Sequence, residues 1–185
     1  RMPSQAEIVR HFKAVLDAAN VNIVLYSYPD KDGVEIGWEA LDGLADHPRI
    51  IGIKESSGSL QRAIGIATRY EGRIQLVSGS DDIALDFMLW GADSWICGPA
   101  NCMARAVCDL DRTFRAGDLS GAKAIMTRIW PAMNFLESGK FVQKLKYGCE
   151  LQGTPVGECR MPLGPLTPEE KIEFATAMKP IVNWA

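Results

Sequence analysis

Histidine is scarce in this chain: only His11 and His47 occur, and neither has a sequence neighbour suited to catalysis. His47 lies in the polar segment Ala45-Asp46-His47-Pro48 between a helical and a strand pattern, and His11 lies in an amphipathic helical pattern. The five cysteines, Cys97, Cys102, Cys108, Cys149 and Cys159, are odd in number and form no Cys-x-x-Cys pair. Without clustered Cys or His partners a zinc site is not expected. Reduced thiols in a cytoplasmic protein are. No run of ~18 apolar residues is present, so no transmembrane span is expected, and no signal-peptide pattern opens the chain. Charge of one sign is not in excess either. A net charge of -3 and a pI near 5.5 give no reason to expect nucleic acid as a partner. Low-complexity tracts are missing, as are repeats beyond an alternation of strand and helix patterns.

What is present fits an ordinary globular composition, 47% hydrophobic and 23% charged over 185 residues, enough for one sizeable domain with a core. The first residue is Arg1 rather than Met, which fits a processed chain or a fragment. Ser4-Gln5-Ala6-Glu7 reads as a capping box opening a helix to about Ala19, with Val9, Phe12, Leu16 and Ala19 facing a core. Val21 to Tyr26 reads as a strand, closed by Pro29 and the turn-like Asp30-Lys31-Asp32-Gly33. Helical patterns near Trp38 to Ala45, Leu60 to Tyr70 and Ile83 to Trp90 alternate with strands at Arg49 to Lys54, Arg73 to Ser78 and Asp93 to Gly98. That alternation predicts βαβ units, a parallel sheet and right-handed crossovers. After Asn101 only helices are expected, near Ala104 to Arg115, Leu119 to Glu137 and Phe141 to Leu151. A proline-rich connector follows, and then a last helix opened by Thr167-Pro168-Glu169-Glu170.

The strand ends carry the chemistry. Tyr26, Lys54, Gly79 and Gly98 each close a strand pattern, one strand-helix step apart. In a parallel sheet they share one rim, the carboxyl rim where α/β proteins bind ligands. A lysine amine is mostly protonated near neutrality, with an ordinary pKa of ~10.4, and burial in an apolar barrel disfavours the charged form. Freed of its proton, such an amine can form a Schiff base with a carbonyl, and a tyrosine hydroxyl beside it can relay the protons this requires. Lys54 and Tyr26, on neighbouring strands, are therefore the candidate nucleophile and relay. Plainer readings fit the same residues. Lys54 also suits a solvated turn, Tyr26 a core aromatic, and Glu55 a surface ion pair. Asp81-Asp82 suits a helix N-cap and first turn, and Ser56, Ser57 and Gly58 suit the cap of the helix after Lys54.

Four segments taken in order are more specific. Leu25-Tyr26-Ser27-Tyr28-Pro29, Ile51-Gly52-Ile53-Lys54-Glu55-Ser56-Ser57-Gly58, Ser78-Gly79-Ser80-Asp81-Asp82 and Gly98-Pro99-Ala100-Asn101 resemble the dihydrodipicolinate synthase and N-acetylneuraminate lyase family. The resemblance covers nearly the whole chain, and the lysine segment is its most specific part. It implies an α/β fold, a TIM (β/α)8 barrel with added carboxyl-terminal helices, commonly a homotetramer. It implies a Schiff base between Lys54 and pyruvate or a related 2-oxo acid, with Tyr26 as proton relay and no metal or organic cofactor. By the same resemblance Gly79, Ser80 and Asp81, with Ile96 and Gly98, line the substrate site, and Lys31 stands near the second substrate. A barrel of this kind needs roughly 250 residues. The chain is thus expected to hold about the last four βα units, residues 1–103, followed by a final barrel helix and helical region, residues 104–185.

Two departures shape the expected function. Ser27 stands where the family usually has Asn, and Lys31 stands where dihydrodipicolinate synthases carry an arginine for the second substrate's carboxylate. Lysine lacks the bidentate fork. A Schiff-base lyase or synthase acting on a 2-oxo acid is the leading expectation. A dehydratase or deaminase of a 2-keto-3-deoxy acid or cyclic imine is the alternative, and a non-catalytic ligand-binding or oligomerisation fragment is the alternative of another class. The family's Gly-Thr-Thr segment, which holds the 2-oxo acid carboxylate, has no equivalent here. The chain is therefore expected to require the other barrel half, and to expose sheet edges and core without it.

Overall fold

A computed structural model describes residues 2–184. The chain divides into two compact units, Arg1–Ile96 and Cys97–Ala185.

The first unit is a parallel sheet with helices. α1 (Gln5–Ala18) starts at the expected capping box: Ser4 Oγ accepts from the Glu7 amide at 3.3 Å, and Glu7 Oε2 accepts from the Ser4 amide at 2.7 Å. It buries Ile8 and Leu16, with Val9 and Phe12 packed on the same core; Ala19 is its C-cap. β1 (Ile23–Ser27) is followed by α2 (Pro29–Asp32), a single helical turn where a plain turn was expected. Pro29 presets the first helical φ, and Gly33 at φ 70° stops the helix. α3 (Trp38–Leu44), β2 (Ile50–Glu55), α4 (Leu60–Arg69) and β3 (Gln75–Ser78) come next. A 3-10 turn at Asp81–Ile83 leads into α5 (Ala84–Leu89), and β4 (Ser94–Trp95) closes the unit. The sheet order is β1-β2-β3-β4, all parallel, as the βα alternation predicts.

Two local expectations fail for identifiable reasons. The fourth strand is only two residues long. β3 itself ends at Ser78, so β4 pairs with it only as Val77 with Ser94 and Ser78 with Trp95, and the Ile96 amide adds a bond to the Ser78 carbonyl at 3.1 Å. Nor do Ser56, Ser57 or Gly58 cap α4. That role falls to Ser59, whose hydroxyl accepts from the Arg62 amide at 3.1 Å. The Ser56 amide instead donates to the Ser27 carbonyl, extending the β1–β2 ladder, and the Ser57 amide is held by Glu55.

Side chains alternate along a strand, so β1 shows both faces. Leu25 and Ser27 are fully buried, while Val24 and Tyr26 are exposed. Leu25, Ile53 and Leu76 from the sheet meet Leu16, Leu41, Ile66 and Phe87 from the helices in one apolar core. The helices therefore cover one face, and the opposite face of β1 is open within this unit.

In the second unit every assigned element among the described residues is a helix, as expected: α6 (Ala100–Arg115), α7 (Leu119–Glu137), α8 (Phe141–Leu151) and α9 (Pro168–Met178). α6 packs on α7 and α8, and α9 packs on both of those as well. Phe135 and Phe174 stack with ring centroids 5.5 Å apart. Lys144 is buried, and its amine donates to the Phe135 carbonyl at 2.5 Å and to Ser138 Oγ at 2.8 Å, satisfying the end of α7. Burial pulls that amine below the ordinary lysine range. The two compact units meet at Ile96/Cys97. α6 already begins at Ala100, with a non-helical kink at Met103 (φ -144°) that disguises its first turn in the sequence pattern.

Candidate active site

β1 and β2 pair so that Tyr26 lies level with Lys54, and Ser27 with Glu55. Level residues on parallel strands point the same way, so Tyr26 and Lys54 share the face away from the helical core. They meet there. Lys54 Nζ stands 3.9 Å from the centroid of the Tyr26 ring. The amine rests on the negative face of the aromatic ring, a cation–π arrangement in its protonated form. Lys54 is half-buried and Tyr26 is 46% exposed, so the amine has a solid floor and an open approach. Tyr28, two residues on, stacks obliquely on Tyr26 at 5.9 Å.

Glu55 faces the other way. It is fully buried, not a surface partner of Lys54, because its position on the strand turns it towards the helices. Its Oε2 accepts from Arg62 Nε at 2.7 Å and its Oε1 from the Ser57 amide at 2.7 Å. The surface ion-pair reading is thereby corrected.

Gly79 lies directly beside Lys54. Its amide donates to the Glu55 carbonyl at 2.9 Å, stitching the end of β3 to the end of β2. A Cβ placed on Gly79 would stand 2.0 Å from Ser56 Oγ, 2.8 Å from the Glu55 carbonyl oxygen and 2.9 Å from Lys54 Cγ. Only glycine fits this close approach. Ser56 Oγ, buried in the same spot, has no hydrogen-bond partner among the described residues. The sequence reading singled out neither Ser56 nor Tyr28 for the site. The period of two would have found both, since each is two residues beyond a proposed catalytic side chain and on the same face.

The remaining candidates separate. Ser80 is buried, and its hydroxyl accepts from the Gly58 amide at 3.2 Å, tying the loop after β3 to the loop after β2. Asp81 is buried too and accepts from Trp95 Nε1 at 2.8 Å, a bond the sequence did not signal. It opens a 3-10 turn whose N-cap is Ser80, so Asp81 and Asp82 are the first-turn acids, as expected, while the cap position falls one residue earlier. Ile96 is exposed at the end of the first unit. Lys31 is exposed on α2, in the loop following β1. Gly98 belongs to the second unit, where its carbonyl accepts from the Asn101 side chain at 2.8 Å and from the Asn101 amide at 3.1 Å. Among the described residues no group of three or more His, Cys, Asp or Glu is placed to hold a metal, and no helix is long and apolar enough to cross a membrane.

Near the carboxyl end of the second of four parallel strands, then, stands a lysine with a tyrosine level with it and a glycine packed against it. The model of the Dihydrodipicolinate synthetase family matches residues 1–181. The chain belongs to the dihydrodipicolinate synthetase family. Among its relatives, the 4-hydroxy-tetrahydrodipicolinate synthase of Geobacter sulfurreducens is 36% identical over 179 residues, which are 96% of this chain and 61% of that protein. Its counterpart in Geobacter metallireducens is 36% identical over 180 residues, with the same coverage. A crystal structure of the dihydrodipicolinate synthase of Acinetobacter baumannii, complexed with pyruvate, superposes with a TM-score of 0.90 at 28% identity, covering 97% of this chain and 62% of that one. The chain thus spans about 61% of the length of the curated relatives it matches. Its fold is α/β, four parallel strands and their helices from a TIM-barrel family, followed by a helical region.

Proposed function

We propose that this chain carries the nucleophile of a Schiff-base lyase or synthase acting on pyruvate or a related 2-oxo acid. The observation that carries the reading is the Lys54 amine at the carboxyl end of β2, held on the Tyr26 ring with Gly79 packed against its side chain. In its free-base form Lys54 Nζ attacks the C2 carbonyl of the 2-oxo acid. A proton moves from nitrogen to the former carbonyl oxygen, giving a carbinolamine. A second proton, delivered to that hydroxyl by the Tyr26 phenol, lets it leave as water, and C2 becomes an iminium. Loss of a C3 proton then gives an enamine whose C3 adds to an electrophile, and the reverse sequence cleaves the same bond. Tyr26 serves as the proton carrier, since a phenol both donates and accepts. The covalent lysine supplies the electron sink, so the reading includes no organic cofactor and no metal.

Relatives named 4-hydroxy-tetrahydrodipicolinate synthase, and a family structure bound to pyruvate, support the substrate class. The carboxylate of the 2-oxo acid is held, in this reading, by the strands that complete the barrel, and the working enzyme is a homo-oligomer in the cytoplasm. Lys31 favours the second reading, a dehydratase or deaminase on a 2-keto-3-deoxy acid or cyclic imine. It is an exposed lysine on α2, without the planar fork that grips a carboxylate with two bonds.

The test is chemical trapping in the full-length protein. Pyruvate and borohydride together are expected to add mass at Lys54, and Lys54→Ala is expected to abolish the adduct. A folded full-length protein that gains no mass at Lys54 overturns the Schiff-base reading. Binding of a 2-oxo acid with no exchange of its C3 protons would mark a non-catalytic binding domain instead.

A further inference from the structure

Directly behind the two proposed catalytic side chains runs a row of buried polar ones. Ser27 follows Tyr26, Glu55 follows Lys54, and Ser78 follows Val77 on the third strand; Ser27, Glu55 and Ser78 are level with one another and wholly inaccessible. A carboxylate placed there needs a compensating charge and donors. Arg62, on the first turn of α4, supplies both. All three of its guanidinium nitrogens are engaged: Nε with Glu55 Oε2 at 2.7 Å, Nη1 with Glu35 Oε2 at 3.0 Å, and Nη2 with the Ile36 carbonyl at 2.5 Å. The Trp38 ring lies 5.1 Å from its guanidinium carbon. The Ile36 amide then donates to Ser27 Oγ at 3.3 Å, returning the connection to β1. Gln5 braces the same loop through the Glu35 carbonyl at 3.0 Å and the Gly37 amide at 2.7 Å.

We infer that the Glu55–Arg62 pair, with Ser27 and the Glu35–Ile36 loop, is a positioning device that fixes the carboxyl ends of β1 and β2 and so holds Lys54 over Tyr26. The inference rests on the Schiff-base reading of Lys54. Glu55 and Ser27 touch neither the Lys54 amine nor the approach to it, being on the far side of the strands. They act through the backbone: Lys54 is bonded to Glu55, Tyr26 to Ser27, and the arginine fork joins the two. A planar guanidinium spreads its donors in a fixed fork, here reaching two carboxylates and a carbonyl at once, a geometry a point-charge ammonium does not reproduce. That geometry distinguishes the pair from a hydrophobic filling of the same volume. Small misplacements of reacting groups cost large factors in rate, so the device should be visible in chemistry and not only in stability.

The experiment uses the full-length enzyme, and the rate of borohydride-trapped pyruvate adduct at Lys54 is followed by mass. Each variant is measured well below its own unfolding midpoint, alongside kcat and KM for pyruvate. Arg62→Met and Glu55→Gln are expected to slow trapping by about tenfold or more, with the loss falling mainly on kcat. Arg62→Lys, which keeps the charge and loses the fork, should recover only a fraction of the rate. Arg69→Met, removing an exposed ion pair with Asp42 on the same helix, should trap like wild type. Should Arg62→Met or Glu55→Gln fail to fold, Glu35→Gln removes one arm of the fork from a half-exposed partner and should slow trapping severalfold. Wild-type trapping in folded Arg62→Met, or in Glu35→Gln where Arg62→Met does not fold, overturns the inference even if the unfolding midpoint drops. No adduct on the wild-type enzyme would instead overturn the Schiff-base reading beneath it.

Discussion

At the scale of single residues, the tightest constraint is steric. Gly79 leaves no room for one more carbon, since the nearest obstacle after Ser56 is the Glu55 backbone oxygen, which cannot swing aside as a side chain can. Gly79→Ala should therefore destabilise the protein by about 1–3 kcal/mol, the usual cost of overpacking. Because Lys54 Cγ is also in the way, it should lower Lys54 trapping as well. Denaturant unfolding beside adduct mass separates the two losses, and an alanine variant of wild-type stability would contradict the contact. Thiol chemistry offers a second residue-scale test. Burial, reinforced by neighbouring Cys149, pushes the Cys102 thiol up to about 12. The thiolate is the reactive form. At pH 8 Cys102 should be alkylated roughly a thousandfold more slowly than an ordinary thiol of pKa ~8.5, gaining reactivity only as the pH climbs towards its own range. Exposed Cys108 should be modified first, and peptide mass mapping after brief iodoacetamide treatment reads the order.

Elements are set by caps as much as by cores. α9 opens with a complete capping box, in which Thr167 Oγ1 accepts from the Glu170 amide at 3.2 Å and Glu170 Oε2 accepts from the Thr167 amide at 2.7 Å. Lys140 adds an ion pair to the same carboxylate, which lies below the usual glutamate range because of that lysine and the cap. Thr167→Ala should cost about 0.5–2 kcal/mol in urea unfolding, and a neutral result would show that α9 is held by Phe174 and Met178 packing alone. The same caps explain what was legible beforehand. Ser4 and Thr167 announce their helices within the sequence, and Lys54 announces its strand end, because each signal is local. Trp95 holding Asp81, Arg62 holding Glu55, and the shortened β4 are not local. Each depends on where a separate segment arrives, so the Trp95 bond to Asp81 was not legible and Glu55 read as a surface partner. The level pairing of Tyr26 with Lys54 was legible because parallel strands with similar connections leave few registers. The stacking of amine on ring, rather than on hydroxyl, was not, since it turns on side-chain rotation.

For the molecule as a whole, the sheet unit ends at β1 and β4, and β1 presents Val24 and Tyr26 to solvent beside an unpaired strand edge. Such edges pair with whatever backbone is offered. The 185-residue chain produced by itself should self-associate at micromolar concentration and bind a hydrophobic dye. The full-length protein should do neither, or should stop at a discrete oligomer. Light scattering after size exclusion decides, and a monodisperse, dye-silent 185-residue monomer would refute it. The open β1 edge also has a practical side. On the proposed reading, in which Lys54 is the nucleophile and further strands on another piece of chain complete the barrel, such a sheet is a natural split reporter. If the two pieces are made separately, the rate of covalent labelling at Lys54 becomes a gauge of how much of the two has come together, and the chemistry of the site turns into a measure of assembly.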